Sequence, residues 1–278
     1  MAVLFTRRAV VTAMAATPVI TAMAVTPVIG MSAAGAVEPV EWRRLAPGLE
    51  HGQAVVAAEL GDRQLHILRI DPAHFLFELA SVAAVGGEAR TARRWAEERG
   101  FSAVINAGMF KPGGAPVGYA KADGRVIQAH LNKDRSVFAF SATQARLLDR
   151  SCETFDAARE DNALQGIRMV GCDGRNVWAA APRRWSIAAI AQDKSGRILF
   201  LHSRSPLPVH DFIEAMLALP LSVTRAMYQE GGPEATLYVN AGGLQLERFG
   251  SFETGFNEND GISVAWPLPN VFGIRPRH

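Results

Sequence analysis

Short apolar runs, each a few residues long and closed by glycine, proline, aspartate or asparagine, recur along most of the chain. Runs of this length and punctuation predict β-strands. They fall at residues 53–60, 64–70, 75–80, 102–106, 137–141, 166–170, 187–192, 198–202, 223–230, 236–240 and 262–266. Helical spacing stands out twice. Thr91 is placed to cap a helix that runs through Trp95 and Ala96 and stops at Gly100. Across 209–219, Val209, Phe212, Ile213, Met216 and Leu217 form one apolar stripe, with Asp211 in the first turn and Pro220 as the stop. Strands outnumber helices, and the helices do not alternate with them regularly. The pattern predicts an α+β fold with a mixed, largely antiparallel sheet and a few packed helices. No linker-like tract or charge block interrupts residues 37–278, so they read as a single domain.

The first 36 residues follow a different rule. Arg7-Arg8 precedes a long, weakly apolar stretch from Ala9 to Ala36, rich in Ala, Thr, Val and Met. It ends in Ala34-Gly35-Ala36, a small-x-small site suited to signal peptidase. The paired arginines with Val10 and Val11 soon after resemble a twin-arginine export signal. A nine-residue unit beginning at Thr12 is nearly repeated from Thr21, which is a local expansion rather than a core-forming repeat. A membrane anchor is the competing reading, since about 20 apolar residues span a bilayer. Pro18 and Pro27 would each break such a helix, which favours cleavage over anchoring. Residues 1–36 are thus expected to be a signal peptide. The mature protein is expected to be periplasmic or secreted, meeting the membrane only during export.

Composition narrows the partners. Lys and Arg number 29 against 27 acidic residues, and Arg7 and Arg8 belong to the signal, so the mature chain is close to neutral. That balance gives no electrostatic reason to expect nucleic acid or an anionic membrane. The two cysteines, Cys152 and Cys172, are compatible with a disulfide in an oxidising compartment and equally with buried free thiols. No motif calls for a metal or a cofactor: there is no His-Glu-x-x-His, and the seven histidines are dispersed. Gly113–Gly118 lacks the lysine a phosphate loop needs, and the mature chain has no Gly-x-Ser-x-Gly elbow.

Two segments have the composition of sites. In the first, an apolar strand delivers Asn106 to its end, and Ala107, Gly108, Met109 and Phe110 follow. Small residues there let the backbone turn and approach a ligand, and an amide can both donate to and accept from sugar hydroxyls. A turn asparagine capping its own backbone fits the same residues. The second segment reads as strand, glycine turn, strand, and carries Glu230, Gly231, Gly232 and Glu234. Two neighbouring carboxyl groups can hold different pKa values and divide acid and base duties, as glycoside cleavage requires. Bare N–H groups of the two glycines are expected between them. A solvated hairpin tip is the plainer alternative.

Taken in order, these segments resemble the phosphodiester glycosidase family. Asn106-Ala-Gly-Met-Phe110 is similar to the family's Asn-Gly-Gly-Phe-Phe element, and Pro116-Val-Gly118 with Asp123-Gly-Arg-Val126 to its next hairpin. Ala163-Leu-Gln-Gly166 resembles its Gln-containing strand, and Asp193 to Leu199 a later hairpin. Glu230-Gly-Gly232 stands where Asp-Gly-Gly is usual, and Pro267 to Gly273 is similar to the terminal strand. Two departures stand out. Pro233-Glu234 replaces Gly-Ser, and the family's Arg is not cleanly matched: it falls near Ile187, while Arg183 and Arg184 lie a few residues early. The resemblance implies an exported hydrolase cleaving a sugar-1-phosphodiester, with Glu230, Glu234 and Asn106 catalytic. It implies substrate contacts at Gly108, Phe110, Gln165, Arg184, Gly231 and Gly232, and a small-molecule or glycan phosphodiester as substrate. A non-catalytic cell-envelope or exopolysaccharide glycan-binding protein is the alternative that the two departures support.

Overall fold

Strands apolar on both faces must be covered on both, and the chain meets this with two stacked sheets flanked by helices. The computed structural model describes residues 40–251 and 262–277; the expected signal, residues 1–36, lies outside the described residues. In chain order the strands begin with β1 (Glu41–Ala46), β2 (Leu49–Val55), β3 (Gln64–Ile70), β4 (Phe75–Ser81) and β5 (Ala103–Asn106). Next come β6 (Ala120–Ala122), β7 (Arg125–Gln128), β8 (Ser136–Phe140), β9 (Ala145–Asp149), β10 (Asn162–Val170) and β11 (Trp185–Asp193). The last are β12 (Ile198–Leu207), β13 (Val223–Gly231), β14 (Thr236–Ala241), β15 (Leu244–Phe249) and β16 (Asn270–Pro276). Among the described residues three α-helices join them: α1 (Val82–Val85), α2 (Ala92–Arg99) and α3 (Val209–Ala218).

The larger sheet runs β1-β2-β3-β12-β11-β13-β10-β6-β7, with β8 on β10 and β9 on β8; the smaller runs β15-β14-β5-β16-β4. Every ladder among the described strands is antiparallel, so the expectation of a mixed sheet is corrected, and strand content outweighs helix more than an α+β label suggests. The reason is connectivity: few helices cross between strands, and without crossovers parallel pairs do not form. Phe77, Ile105, Phe138, Phe200, Leu237 and Phe272 fill the space between the sheets.

Both expected helices are present where local signals placed them. Thr91 Oγ1 accepts from Arg94 N at the start of α2, and Gly100, left-handed at φ 69°, ends it. Its Trp95 and Ala96 cover the outer face of the smaller sheet beside Val104, Tyr238 and Val271. On the far side of the larger sheet, α3 lays Phe212, Ile213 and Met216 against Ile187, Ala189 and Leu199. Two strand expectations fail. Residues 262–266 form no ladder, and Val264 there is 71% exposed, because an apolar run without a neighbouring edge has nothing to pair with. The run at 53–60 is shifted to Leu49–Val55, since Val56 N donates to Arg63 O and the chain turns there.

Cys152 and Cys172, both exposed, form a disulfide between the turn after β9 and the turn after β10. It closes a sequence separation of 20 residues. By loop-closure entropy, replacing both cysteines with alanine is expected to cost about 3 kcal/mol in denaturant unfolding. An unchanged unfolding midpoint would show that the cross-link does not restrain the unfolded chain.

Candidate active site

Between β13 and β14 the chain passes from the larger sheet to the smaller, and this crossover is the tip that carries Glu230 and Glu234. A single 3-10 turn, Gly232–Glu234, makes the passage, with Gly232 at φ 65°. Glu230, Gly231 and Glu234 are half-buried, and Gly232 and Pro233 are buried. Gly231 is fixed as glycine by its neighbours, since a Cβ there would lie 2.2 Å from Trp185 Cδ1. Its N–H is not bare as expected: it donates to Glu230 Oε1 at 3.0 Å.

The direction of Glu230 is set by a β-bulge. In the pairing of β11 with β13, Ala189 faces Tyr228 and Ala188 faces Glu230, so Gln229 is the extra residue. Directly opposed residues of an antiparallel pair share a face. Tyr228 therefore lies with Ala189 on the outer face, packed with the α3 layer, whereas Glu230 lies with Ala188 on the face turned to the other sheet. Without the bulge the two-residue period would put Glu230 on the Tyr228 side. The fully buried Gln229 then reaches across, and its Oε1 accepts from Gly108 N at 2.9 Å.

This bond and a second one join the two segments singled out in the sequence. Asn106, at the end of β5, accepts through Oδ1 from Thr236 N at 3.0 Å, just beyond the tip. The Asn106 side chain is nearly buried, at 2% exposure, and its Nδ2 has no partner among the described residues. Thr236 Oγ1, Trp185 Nε1 and Asn270 Oδ1 are likewise buried without a hydrogen-bond partner among the described residues. They adjoin the same place: Asn270 O accepts from Ala107 N, and Trp185 packs on Gly231. Sequence reasoning passed over Gln229, Trp185, Thr236 and Asn270. A glutamine inside an apolar strand was the one available signal.

The remaining expected site residues are placed differently. Gln165 is buried beside Gly118, and its amide serves backbone groups: Oε1 accepts from Tyr119 N and Asn132 N, and Nε2 donates to Asn132 O and Asp134 O. It braces the loop through Lys133. Phe110 is half-buried and bridges to Pro116 across a tight loop. Arg184 precedes Trp185, but its guanidinium fork engages the exposed Glu59 and holds that carboxyl below the usual range. Ile187 is fully buried in the apolar layer under α3. Of the metal-ligating residue types, Asp149, Cys152 and Cys172 come together among the described residues, with both sulfurs committed to the disulfide.

Behind the tip, three histidines far apart in sequence line up across adjacent strands. His66 on β3 faces His202 on β12 in the ladder, and His51 Nε2 lies 3.2 Å from His66 Nδ1. Arg248 Nε donates to His66 Nε2, so the His66 proton resides on Nδ1 and is shared with His51. His202 Nε2 contacts Ala235 O at 3.0 Å, which requires the proton on Nε2 and ties the row to the residue after Glu234. Burial, aided by neighbouring positive charge from Arg248, lowers His66 and His202 to about 3. Burial likewise lowers His51, with Arg248 and Arg43 adding to the effect.

A family model described as phosphodiester glycosidase matches residues 99–275, and the chain belongs to that family. Among solved structures, the chain is similar to the catalytic domain of zebrafish N-acetylglucosamine-1-phosphodiester alpha-N-acetylglucosaminidase, auto-inhibited by its pro-peptide. The two share 12% identity at a TM-score of 0.61, over 87% of this chain and 88% of that one. A hypothetical protein from Synechocystis matches at 15% identity and TM-score 0.57, over 86% of this chain and 64% of that one. A putative exported protein from Burkholderia pseudomallei matches at 11% identity and TM-score 0.50, over 81% and 74%. At these identities the likeness is one of fold. A search of curated proteins finds no sequence match.

Two outcomes are expected from this geometry. Gln229→Leu leaves the Gly108 N–H buried without its acceptor and should cost about 1–3 kcal/mol in unfolding; unaltered stability would show that Gly108 finds another acceptor. The histidine row should make the fold acid-sensitive. In the unfolded chain the imidazoles titrate near 6.5, and folded His66 and His202 titrate at about 3. Their contribution is therefore complete above about pH 6.5 and is lost as pH falls from there toward 3, at about 1.4 kcal/mol per pH unit for each. Urea unfolding between pH 7 and pH 4.5 should show this slope, and His202→Gln should flatten it; an equal slope in the variant would assign the acid sensitivity elsewhere.

Proposed function

We propose that this chain is an exported hydrolase that cleaves a sugar-1-phosphodiester at the anomeric carbon, working at the Glu230–Glu234 tip. The observation that carries the reading is the bulge at Gln229, which turns Glu230 toward the other sheet and bonds its strand to Gly108. Membership of the phosphodiester glycosidase family supports the reaction class. The similar zebrafish protein bears the name of an N-acetylglucosamine-1-phosphodiester hydrolase, which supports the choice of sugar phosphate. In this mechanism Glu230 acts as acid/base or as an electrostatic stabiliser of the developing oxocarbenium charge, with Glu234 as its partner. Asn106 orients the substrate through the tip: its Oδ1 holds Thr236 N from the smaller sheet. Gly231 and Gly232 let the tip turn tightly against Trp185 and place Glu230 and Glu234 either side of it. Arg184, already engaged by Glu59, would have to exchange that carboxylate for phosphate to serve as an anion clamp.

Export rests on the arginine pair, the apolar stretch and the small-x-small site of residues 1–36, and the disulfide accords with an oxidising compartment. None of the described helices is long and apolar enough to cross a membrane. A second reading, a glycan-binding protein without turnover, is favoured by Arg184 being engaged by Glu59 rather than free for a phosphate. The two separate on one assay. Glu230→Gln should lower kcat on an N-acetylglucosamine-1-phosphodiester by about 10²–10⁴-fold while the fold is kept. Full turnover by the folded variant would remove Glu230 from the mechanism. Glycan binding by the wild type with the ligand intact after long incubation would establish the second reading.

A further inference from the structure

A groove of about 430 Å³ lies on the larger sheet between the loop carrying Lys133 and Arg135 and the segment of Val177 and Trp178, with Ile167 and Arg168 between them. It adjoins a crevice that reaches Met109, Gln165 and Tyr228; Asp134 and Ile167 line both. Tyr228 stands two residues before Glu230, on the other face of β13, and a Cβ on Gly231 would lie 2.4 Å from its hydroxyl, so the crevice, of about 10 Å³, ends beside Gly231 of the tip. The Trp178 ring packs 5.5 Å from Tyr228.

The groove is built rather than incidental. Gln165 and Arg150 both bond the backbone carbonyls of Asn132 and Asp134, which fixes the loop on either side of Lys133. Arg168 is held by the buried Asp149 at 2.8 Å, and its backbone O accepts from Trp178 Nε1 at 2.7 Å. With its N–H engaged inward, Trp178 offers the groove an apolar surface next to the exposed Val177. Arg168 is neutralised by Asp149, but neither Lys133 nor Arg135 pairs with a carboxylate among the described residues, and both are exposed. Two unneutralised cations beside an aromatic wall suit an anionic chain with a ring to lay on the indole, and Asp134 is the one acid in the lining.

We propose that this groove takes the leaving-group side of the substrate, and that this half is a phosphodiester-linked chain carrying further phosphate beyond the scissile one. The inference rests on the hydrolase reading for the word "substrate", and its test has an arm that does not. In the first arm, a short poly(glycerol phosphate) oligomer is titrated into the mature protein by calorimetry. Binding is expected, weakening with added salt and falling about ten-fold in Lys133→Ala/Arg135→Ala, two surface changes that leave packing intact. Equal affinity in the double variant, or equal binding of an uncharged dextran oligomer, would overturn the proposal. In the second arm, kcat/KM is compared for a sugar-1-phosphate methyl diester and for the same sugar phosphate joined to the oligomer. The ratio of extended to methyl substrate should drop about ten-fold in the double variant; an unaltered ratio counts against the groove. Absence of turnover of either substrate by the wild type removes the hydrolase reading and leaves the groove to be judged by the binding arm.

Discussion

Gln229 accepting from Gly108 is the contact on which the arrangement of the site depends. It joins the last inward-facing residues of β13, in the larger sheet, to the chain leaving β5, in the smaller one. Stacked sheets can slide over one another on an apolar core, because dispersion and burial have no strong direction. A directional bond in a water-free seam does not slide, and leaving it unmade is costly. The bulge makes the bond available by inserting one residue, and the same insertion turns Glu230 over. Position and orientation of the tip thus have a common origin in one irregularity of one ladder.

The surroundings of the tip are arranged to tolerate that irregularity. Trp185 presses on Gly231, and a Cβ at Gly250 would meet Gly232 O, so both glycines are dictated by close approach. His202 holds Ala235 O from behind, and Asn106 holds Thr236 N from the side. Each of these contacts uses a buried polar group, and several such groups have capacity left over. A surface loop would have none of this apparatus. Its presence around two half-buried glutamates is what distinguishes the crossover from an ordinary hairpin end.

Local signals were legible in the sequence and register was not. Thr91, Gly100 and the stripe from Val209 to Leu217 placed α2 and α3 correctly because caps and helical periodicity involve neighbours only. Most strand cores could be read from runs of apolar residues, β3 and β4 among them. Layering into two antiparallel sheets could not, since the partners β4 and β16 lie at opposite ends of the domain. The same limit hid Gln229: a bulge exists only relative to the strand opposite. Gln165 stood in a stretch resembling the family's, yet side-chain direction depends on a loop that packs from elsewhere. His51, His66 and His202 looked scattered for the same reason, and pairing of β2, β3 and β12 gathers them. Family resemblance in the ordered motifs reached further than any one of them alone.

The pairing of β4 with β16 has a consequence for how the molecule comes into being. Phe75 is matched to Pro276 and Ser81 to Asn270, so the smaller sheet cannot be completed until nearly all of the chain is available. Topologies dominated by such distant partners search slowly, on the order of milliseconds to seconds, and hold apolar edges open meanwhile. The lone ladder of β4 therefore waits for the C-terminal strand, which makes the docking of β16 the closing step of the smaller sheet.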